Sequence, residues 1–336
     1  NGATRDVNVD AVNNAPVLGG TASNPTALEN AGVGAGVAAV TLFDASTVTD
    51  ADFFTAGTSF GGGALTLSLD VYVSGDVLSL PSGVTLAVGA VQRSGSDVQV
   101  SLDGVSWTTI GVIDATSNGD GVALVINLNA SADESNVAAV MSALTFASTS
   151  DDPTSNNTAP ARGYSLQLSD GANDGLAGGA SKASNILTGT ISITAVNDAP
   201  VTTTTDGALS YTEHAPAIVI DSGLTLGDAD NANLGGATIQ ITANLKPGDV
   251  LSVNGTPIGS VIDGTSITVT SYDPATGVLT LTGVDSVAHY QAALRTITFG
   301  NTSDNPNANS ASDPLARTIT FLVTDETGAT SHGATR

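Results

Sequence analysis

The sequence predicts an all-β chain of two tandem antiparallel β-sandwiches, each crossed by one short helix. Three observations carry this reading. Aromatic residues are 4% and charged residues 12% of the 336, while Gly, Ala, Ser, Thr and Val abound, a composition suited to short strands and turns. Short β-rich runs recur between Gly, Asn, Asp and Pro clusters, at 36–43, 64–73, 84–91, 121–128, 161–169, 217–226, 237–243, 265–271, 277–282 and 315–324. The sequence also restarts after Val196-Asn197-Asp198-Ala199-Pro200, whose near copy Val12-Asn13-Asn14-Ala15-Pro16 stands near the N-terminus.

These restarts set the expected domains: 1–14 as the last strand of a preceding repeat plus linker, 15–196 as the first domain, and 197–336 as the second. Val7 and Val9 alternate with polar residues, as do Ile191 and Ile193 before the second joint. Separations confirm a shared plan. They are 184 residues for Asn13 to Asn197 and Glu29 to Glu213, 178 for Asp50 to Asp228, 153 for Phe146 to Phe299, and 155 for Arg162 to Arg317 and Asp170 to Asp325. From the Gly-Asp-Val-Leu-Ser copies at 75–79 and 248–252 onward the first domain gains residues, which predicts an inserted hairpin near 99–120, with the Asp103-Gly104 turn signal and Trp107. Val137, Val140, Met141 and Leu144 keep helical spacing behind Asp133 and Ser135, and Val287, Tyr290 and Leu294 repeat it behind Asp285 and Ser286. Only a Gly/Thr/Ser tail follows Arg317 to Thr324, so the second domain is expected to lack its last strand.

Charge narrows the function. A formal charge of −24, from 32 acids against 8 Lys and Arg, repels nucleic acid and anionic lipid and favours bound cations. There is no cysteine, hence no disulfide or thiolate metal site. No apolar run is long enough to insert in a membrane.

The acids gather at the joints, in the Asp-Ala-Asp loops 50–52 and 228–230, and after a late strand at Asp170 with Asp174 and at Asp325. In an immunoglobulin-like sandwich the loops carrying them share one end, so Asp228, Asp230 and Asp325 should converge on Asn197 and Asp198, with Glu29 approaching from the other side. Carboxylate, amide and backbone oxygens suit calcium. The plain alternative is a set of solvated polar turns.

Together the Asn-Asp-Ala-Pro joint, the early Glu29, the Asp-Ala-Asp loop and the late Asp resemble the calcium-binding pattern of cadherin repeats. The series Thr-Phe-x-x-Thr-Ser-Asp-x-Pro, then Arg, then Asp is more specifically similar to cadherin-like tandem repeats of large bacterial surface adhesins secreted by type I systems. The resemblance implies two cadherin-like sandwiches and Ca²⁺ held by Glu29, Asn197, Asp198, Asp228, Asp230 and Asp325. It also implies a partial site on Asn13, Asn14, Asp50, Asp52 and Asp170. Asn14 stands where the second joint has Asp198, lowering the charge of the first. The implied role is a calcium-stiffened structural or adhesive repeat, extracellular and at the bacterial cell surface, in fibre or biofilm adhesion, with neighbouring repeats as partners. A carbohydrate- or surface-glycan-binding module acting through Trp107 is the rival.

Enzyme constellations do not form. Gly57-Thr58-Ser59-Phe60-Gly61 fits a nucleophile elbow only if a helix follows, and three glycines then a strand are expected. His214, His289 and His332 lack zinc-ligand spacing. The Asp228 loop begins like an EF-hand, but its twelfth position is Ile239. Finally, Gly2-Ala3-Thr4-Arg5 recurs as Gly333-Ala334-Thr335-Arg336. Residues 6–12 are therefore expected to be the strand the second domain lacks, supplied by covalent continuation of a tandem array or by strand donation from another copy.

Overall fold

The computed structural model describes residues 5, 12–30, 35–52, 58–171, 180–307 and 316–336. The expected strand at Val7 and Val9, and Asp174, lie outside the described residues. The chain separates into two compact units that part between Val196 and Asn197.

The first unit runs β1 (Val17–Ala22), β2 (Thr26–Leu28), β3 (Val37–Thr41), β4 (Phe43–Thr49), β5 (Ala64–Leu69), β6 (Asp76–Ser79), β7 (Ala90–Ser94), β8 (Asp97–Ser101), β9 (Thr108–Asn118) and β10 (Leu124–Leu128). Helix α1 (Glu134–Ala143), β11 (Thr145–Ser148), β12 (Ala161–Ser169) and β13 (Leu187–Thr194) complete it. One sheet has the order β2-β13-β12-β5-β10-β9-β8-β7, and β3-β11-β6 and the β1-β4 pair form the others. Pairing is antiparallel except between β13 and β2. Burial alternates along these strands as their sequence does: Leu65, Leu67 and Leu69 of β5, and Arg162, Tyr164, Leu166 and Leu168 of β12, all turn inward.

The second unit repeats the plan with β14 (Val201–Thr203), β15 (Ile218–Val219), β16 (Thr225–Gly227), β17 (Asn233–Ala243), β18 (Asp249–Val253), β19 (Thr268–Asp273) and β20 (Val278–Ser286). It continues with α2 (Val287–Leu294), β21 (Ile297–Asn301), β22 (Thr318–Asp325) and β23 (Ala334–Thr335). Its sheets are β19-β20-β17-β22-β23, β15-β21-β18 and β14-β16. The fold is all-β, with sandwiched sheets and one short helix per unit. Both helices start as their sequences predict: the Asp133 carboxylate accepts the Asn136 N–H and the Ser286 hydroxyl accepts that of His289, satisfying first-turn donors.

Two details differ from the sequence reading. The extra strands of the first unit are β7 and β8, which lie beyond β9 in the sheet and have no counterpart beyond β19. The added hairpin thus spans 90–101 rather than 99–120, and Asp103-Gly104 instead belongs to the β8–β9 connection. A left-handed turn at Gly89 (φ 77°) delays β7 to Ala90, which the run 84–91 does not reveal. The second difference is β23: two residues do pair with β22 on the edge expected to be bare.

A buried ion pair recurs in both units. Arg162 and Asp76, each fully buried, meet at 2.7 Å, and Arg317 meets Asp249 at 3.0 Å. The second Arg162 arm donates to the Pro153 carbonyl at 2.6 Å, and that of Arg317 to Pro306 at 2.5 Å. Planar guanidinium geometry allows one side chain to hold a carboxylate and a carbonyl together. Each Arg thereby fastens the Ser-Asp-x-Pro loop to the Gly-Asp-Val-Leu-Ser strand. Glycine is required before that Asp: Gly75 and Gly248 sit at φ 91° and 87°, and a Cβ there would fall 2.7 Å from the Ser150 nitrogen and 2.9 Å from that of Ser303.

Candidate metal centre

In the second unit the acids predicted from sequence converge. Asp228 Oδ1 accepts the backbone N–H of Asp230 at 3.0 Å and of Asn231 at 2.8 Å, folding the Asp-Ala-Asp loop over its own first carboxylate. Asp230 Oδ2 then accepts the N–H of Asp198 at 2.6 Å, which ties that loop to the joint. The Asn197 amide donates to Asp325 Oδ2 at 2.7 Å and its oxygen accepts from Asn231 Nδ2 at 2.6 Å. Asp325, at the inward end of β22, accepts through Oδ1 from the N–H groups of Thr327, Gly328 and Ala329. Asp198 and Asp325 are buried.

The first unit repeats the joint-to-loop contacts with Asn14, Asp50 and Asp52, and places Asn13 and Asp170 beside them through different partners. Asp52 Oδ2 accepts the Asn14 N–H at 2.5 Å, and the Asp52 N–H donates to Asp50 Oδ1 at 3.0 Å, repeating the Asp198–Asp230–Asp228 chain contact for contact. Asn13 Nδ2 donates to the Ala180 carbonyl, and Asp170 Oδ1 accepts the Lys182 N–H at 2.6 Å, so joint and late loop meet through 180–182. Glu134 at the start of α1 accepts the Asp50 N–H at 2.6 Å, a support the sequence does not announce. Glu29 lies in the first unit, and its Oε2 accepts the N–H of Val196, the first residue of the second joint, at 2.8 Å.

The electrostatics are those of an oxygen cage short of positive charge. Burial, helped by the neighbouring Asp325 charge, raises the pKa of Asp228 despite its backbone hydrogen bonds. Burial also pushes Asp325 up, but donors from Asn197, Thr327, Ala329 and Gly328 outweigh it and hold the group below the usual carboxylate range. Three buried oxygens, Asn13 Oδ1, Asp170 Oδ2 and Asp228 Oδ2, accept no hydrogen bond among the described residues. Leaving a buried charged acceptor unsatisfied costs about 1–3 kcal/mol or more. A hard cation with oxygen ligands removes that cost, so the residues present fit calcium.

Other sequence candidates resolve differently. Ser59 is buried and β5 follows it at Ala64, so a strand stands where the nucleophile elbow needs a helix; Gly57 itself lies outside the described residues. Glu213, His214 and Asp304 offer ligand atoms within 4.8 Å of one another, all on exposed side chains. Trp107 is half-buried in the β8–β9 loop, which the Asp103 carboxylate closes by accepting the N–H groups of Val105 and Ser106. No described helix is long and apolar enough to cross a membrane.

No family model matches the chain. A 121-residue stretch, 36% of the chain, is 37% identical to Halomucin of Haloquadratum walsbyi, and the chain spans about 1% of the length of that relative. Among solved structures it is similar to the C-terminal domain of the Streptococcus agalactiae antigen I/II polypeptide BspA, at 10% identity and TM-score 0.19 over 95% of this chain and 99% of that one. The C-terminal domain of Streptococcus pyogenes AspA, an antigen I/II-family protein, gives 11% and 0.19 over 96% and 98%. Mouse protocadherin-24 EC1-3 gives 14% and 0.17 over 100% and 91%.

Proposed function

We propose that this chain is a calcium-stiffened structural or adhesive segment of a large extracellular surface protein, and not an enzyme. The single observation that carries this is the duplicated joint: in both units the second carboxylate of the Asp-Ala-Asp loop accepts the joint backbone N–H and the first accepts that of the second, and the buried Asn13 Oδ1, Asp170 Oδ2 and Asp228 Oδ2 beside these contacts accept no hydrogen bond among the described residues. Solvated turn acids need not share a wiring pattern. The match to a relative of which this chain is about 1% supports reading it as one segment of something much longer.

In the first unit Asn13, Asn14, Asp50, Asp52 and Asp170 would hold the ion, and in the second Asn197, Asp198, Asp228, Asp230 and Asp325. Calcium, when bound, supplies charge neutralisation and a hard acceptor of oxygen ligands. The chain's own part is to present the oxygens already gathered. Backbone N–H groups orient Asp228 Oδ1 and leave Asp228 Oδ2 for the cation. Because the joint residues Asn13-Asn14 and Asn197-Asp198 belong to the cages, a bound ion anchors the linker to the sandwich that follows it, which is how stiffening arises. Proline at 16 and 200 restricts the same backbone.

The test is thermal unfolding followed by circular dichroism in calcium and in chelator. A hundredfold excess of ligand over its Kd adds about 2.7 kcal/mol. That is a rise in Tm of about 5–11 °C for a unit of this size. Coincident melting curves with calcium and with chelator would overturn the proposal.

A further inference from the structure

Around their acid loops the two units differ at two places, and the differences are opposite in charge. At the joint, Asn14 of the first unit stands where the second has Asp198. At the helix start, Glu134 follows the Asp133 cap of α1, and its counterpart after the Ser286 cap of α2, 153 residues on, is Val287, which packs against the second core. One carboxylate is thus missing at the first joint and one more stands on its helix. Asp50, Asp52, Asp170 and Glu134 make four in the first unit, as Asp198, Asp228, Asp230 and Asp325 do in the second.

Asn14 changes more than charge. Its backbone N–H donates to Asp52 Oδ2 and its Nδ2 to Asp52 Oδ1 at 3.0 Å, so both oxygens of that carboxylate are engaged by the joint. A carboxylate at 198 has no such side-chain N–H to offer Asp230. Glu134 reaches the same loop of the first unit, where its Oε1 accepts the Asp50 N–H at 2.6 Å across 84 residues of sequence. Hydrogen bonds of 2.6, 3.0 and 2.5 Å then link Glu134 to Asp50, Asp50 to Asp52 and Asp52 to Asn14 without a break.

A fourth carboxylate beside three others is unfavourable on its own, since like charges repel and burial weakens screening. The N-terminus of α1 is a poor reason for it, because the Asp133 side chain already caps that end. The surrounding oxygens supply a better one. Asn13 and Asp170 are 6% and 0% exposed, and Asn13 Oδ1 and Asp170 Oδ2 accept no hydrogen bond among the described residues. Buried acceptors without donors call for a cation.

We propose that Glu134 is the fourth carboxylate of the first-unit cage, supplying to a bound calcium ion the charge that Asn14 withholds and holding Asp50 in place for it. This role rests on the calcium reading of the cages. Both joints then carry sites of equal carboxylate count, and the first is not the partial site its linker suggests. What differs is where the charge enters: from the linker in the second unit, from the start of α1 in the first. Since charge count sets calcium affinity at oxygen sites, the two cages should bind with comparable strength.

The test is calorimetric titration of calcium into Asp228→Asn/Asp230→Asn protein, whose second cage is disabled, with and without Glu134→Gln. Glutamine keeps an oxygen for the Asp50 N–H and removes only the charge. Affinity at the first cage is expected to fall about tenfold, and adding Asn14→Asp, which returns the charge at the joint as in the second unit, should recover most of it. Melting by circular dichroism separates this from a helix-supporting role. A structural role lowers Tm equally in calcium and in chelator, whereas a cage role shrinks the rise that calcium gives. Titrations unchanged by Glu134→Gln, an equal loss of Tm in both conditions, or no recovery by Asn14→Asp in a protein whose circular dichroism spectrum matches the parent would overturn the proposal and leave the calcium reading standing. A first cage that binds no calcium before Glu134 is changed would overturn both.

Discussion

Removing the Arg162 guanidinium should cost the first unit a large part of its stability. Arg162 donates to Asp76 Oδ2 at 2.7 Å, to the Pro153 carbonyl at 2.6 Å and to the Ala159 carbonyl at 2.5 Å, with no solvent reaching either charged partner. Arg162→Ala leaves the Asp76 carboxylate buried without its counter-charge, and breaking one side of a buried pair costs about 3–5 kcal/mol. For a unit of this size that lowers Tm by about 6–20 °C. Thermal unfolding by circular dichroism reads the shift, and a cycle with Asp76→Ala separates the pair from lost packing. Arg162→Lys should recover only part of the loss, since an ammonium cannot reach Asp76 and Pro153 together in the plane of a guanidinium. In the second unit Arg317 is more accessible, with 8% of its side chain exposed, so Arg317→Ala should cost less than Arg162→Ala. If Arg162→Ala melts within about 2 °C of the parent, the pair is not what fastens the Ser-Asp-x-Pro loop.

Three further outcomes follow from the acid cages. Calcium binding by the second unit should weaken as pH falls, and begin to do so at higher pH than for an ordinary carboxylate, because the raised pKa of Asp228 means a proton competes for the cage early; calorimetric titration across that range checks it. The apo second unit has the opposite sign at this residue. A carboxylate whose folded pKa lies above its unfolded value destabilises the fold as pH rises through that interval, so lowering pH through it relieves strain at Asp228, while the lowered pKa of Asp325 loses its stabilisation only at more acid pH. Small-angle scattering should also show a larger maximum dimension and narrower conformational spread with calcium than with chelator, and an unchanged profile would dissociate ion binding from stiffening.

Much of this architecture is written locally and is therefore legible. Alternation exposes strands such as β5 and β12, the capping residues Asp133 and Ser286 mark both helices, and the oxygen-rich loops announce themselves because Asp, Asn and Gly must occupy those turns. Duplication sharpened each of these, since a constant separation singles out Asp228 and Asp325 from other turn acids. What escapes local reading is pairing across distance. The Arg162–Asp76 contact joins residues 86 apart, and although both stand in duplicated motifs, nothing in either stretch says which partner an inward-facing arginine finds. Strands of two or three residues such as β2, β14 and β23 are too short to display alternation. The inserted hairpin was displaced because Asp103-Gly104 gives a strong turn signal, yet the turn that closes the added pair is Ser94-Gly95-Ser96-Asp97, around Gly95 at φ 64°.

The most direct test of the central claim is calorimetric titration of calcium into the parent chain and into Asp228→Asn/Asp230→Asn. The substitution keeps size and hydrogen-bonding shape while removing two charges from the second cage. The account predicts saturable calcium binding by the parent and loss of the second-unit sites in the variant, with those of the first unit retained. Absence of binding to the parent, or identical titrations of the two proteins, would contradict it.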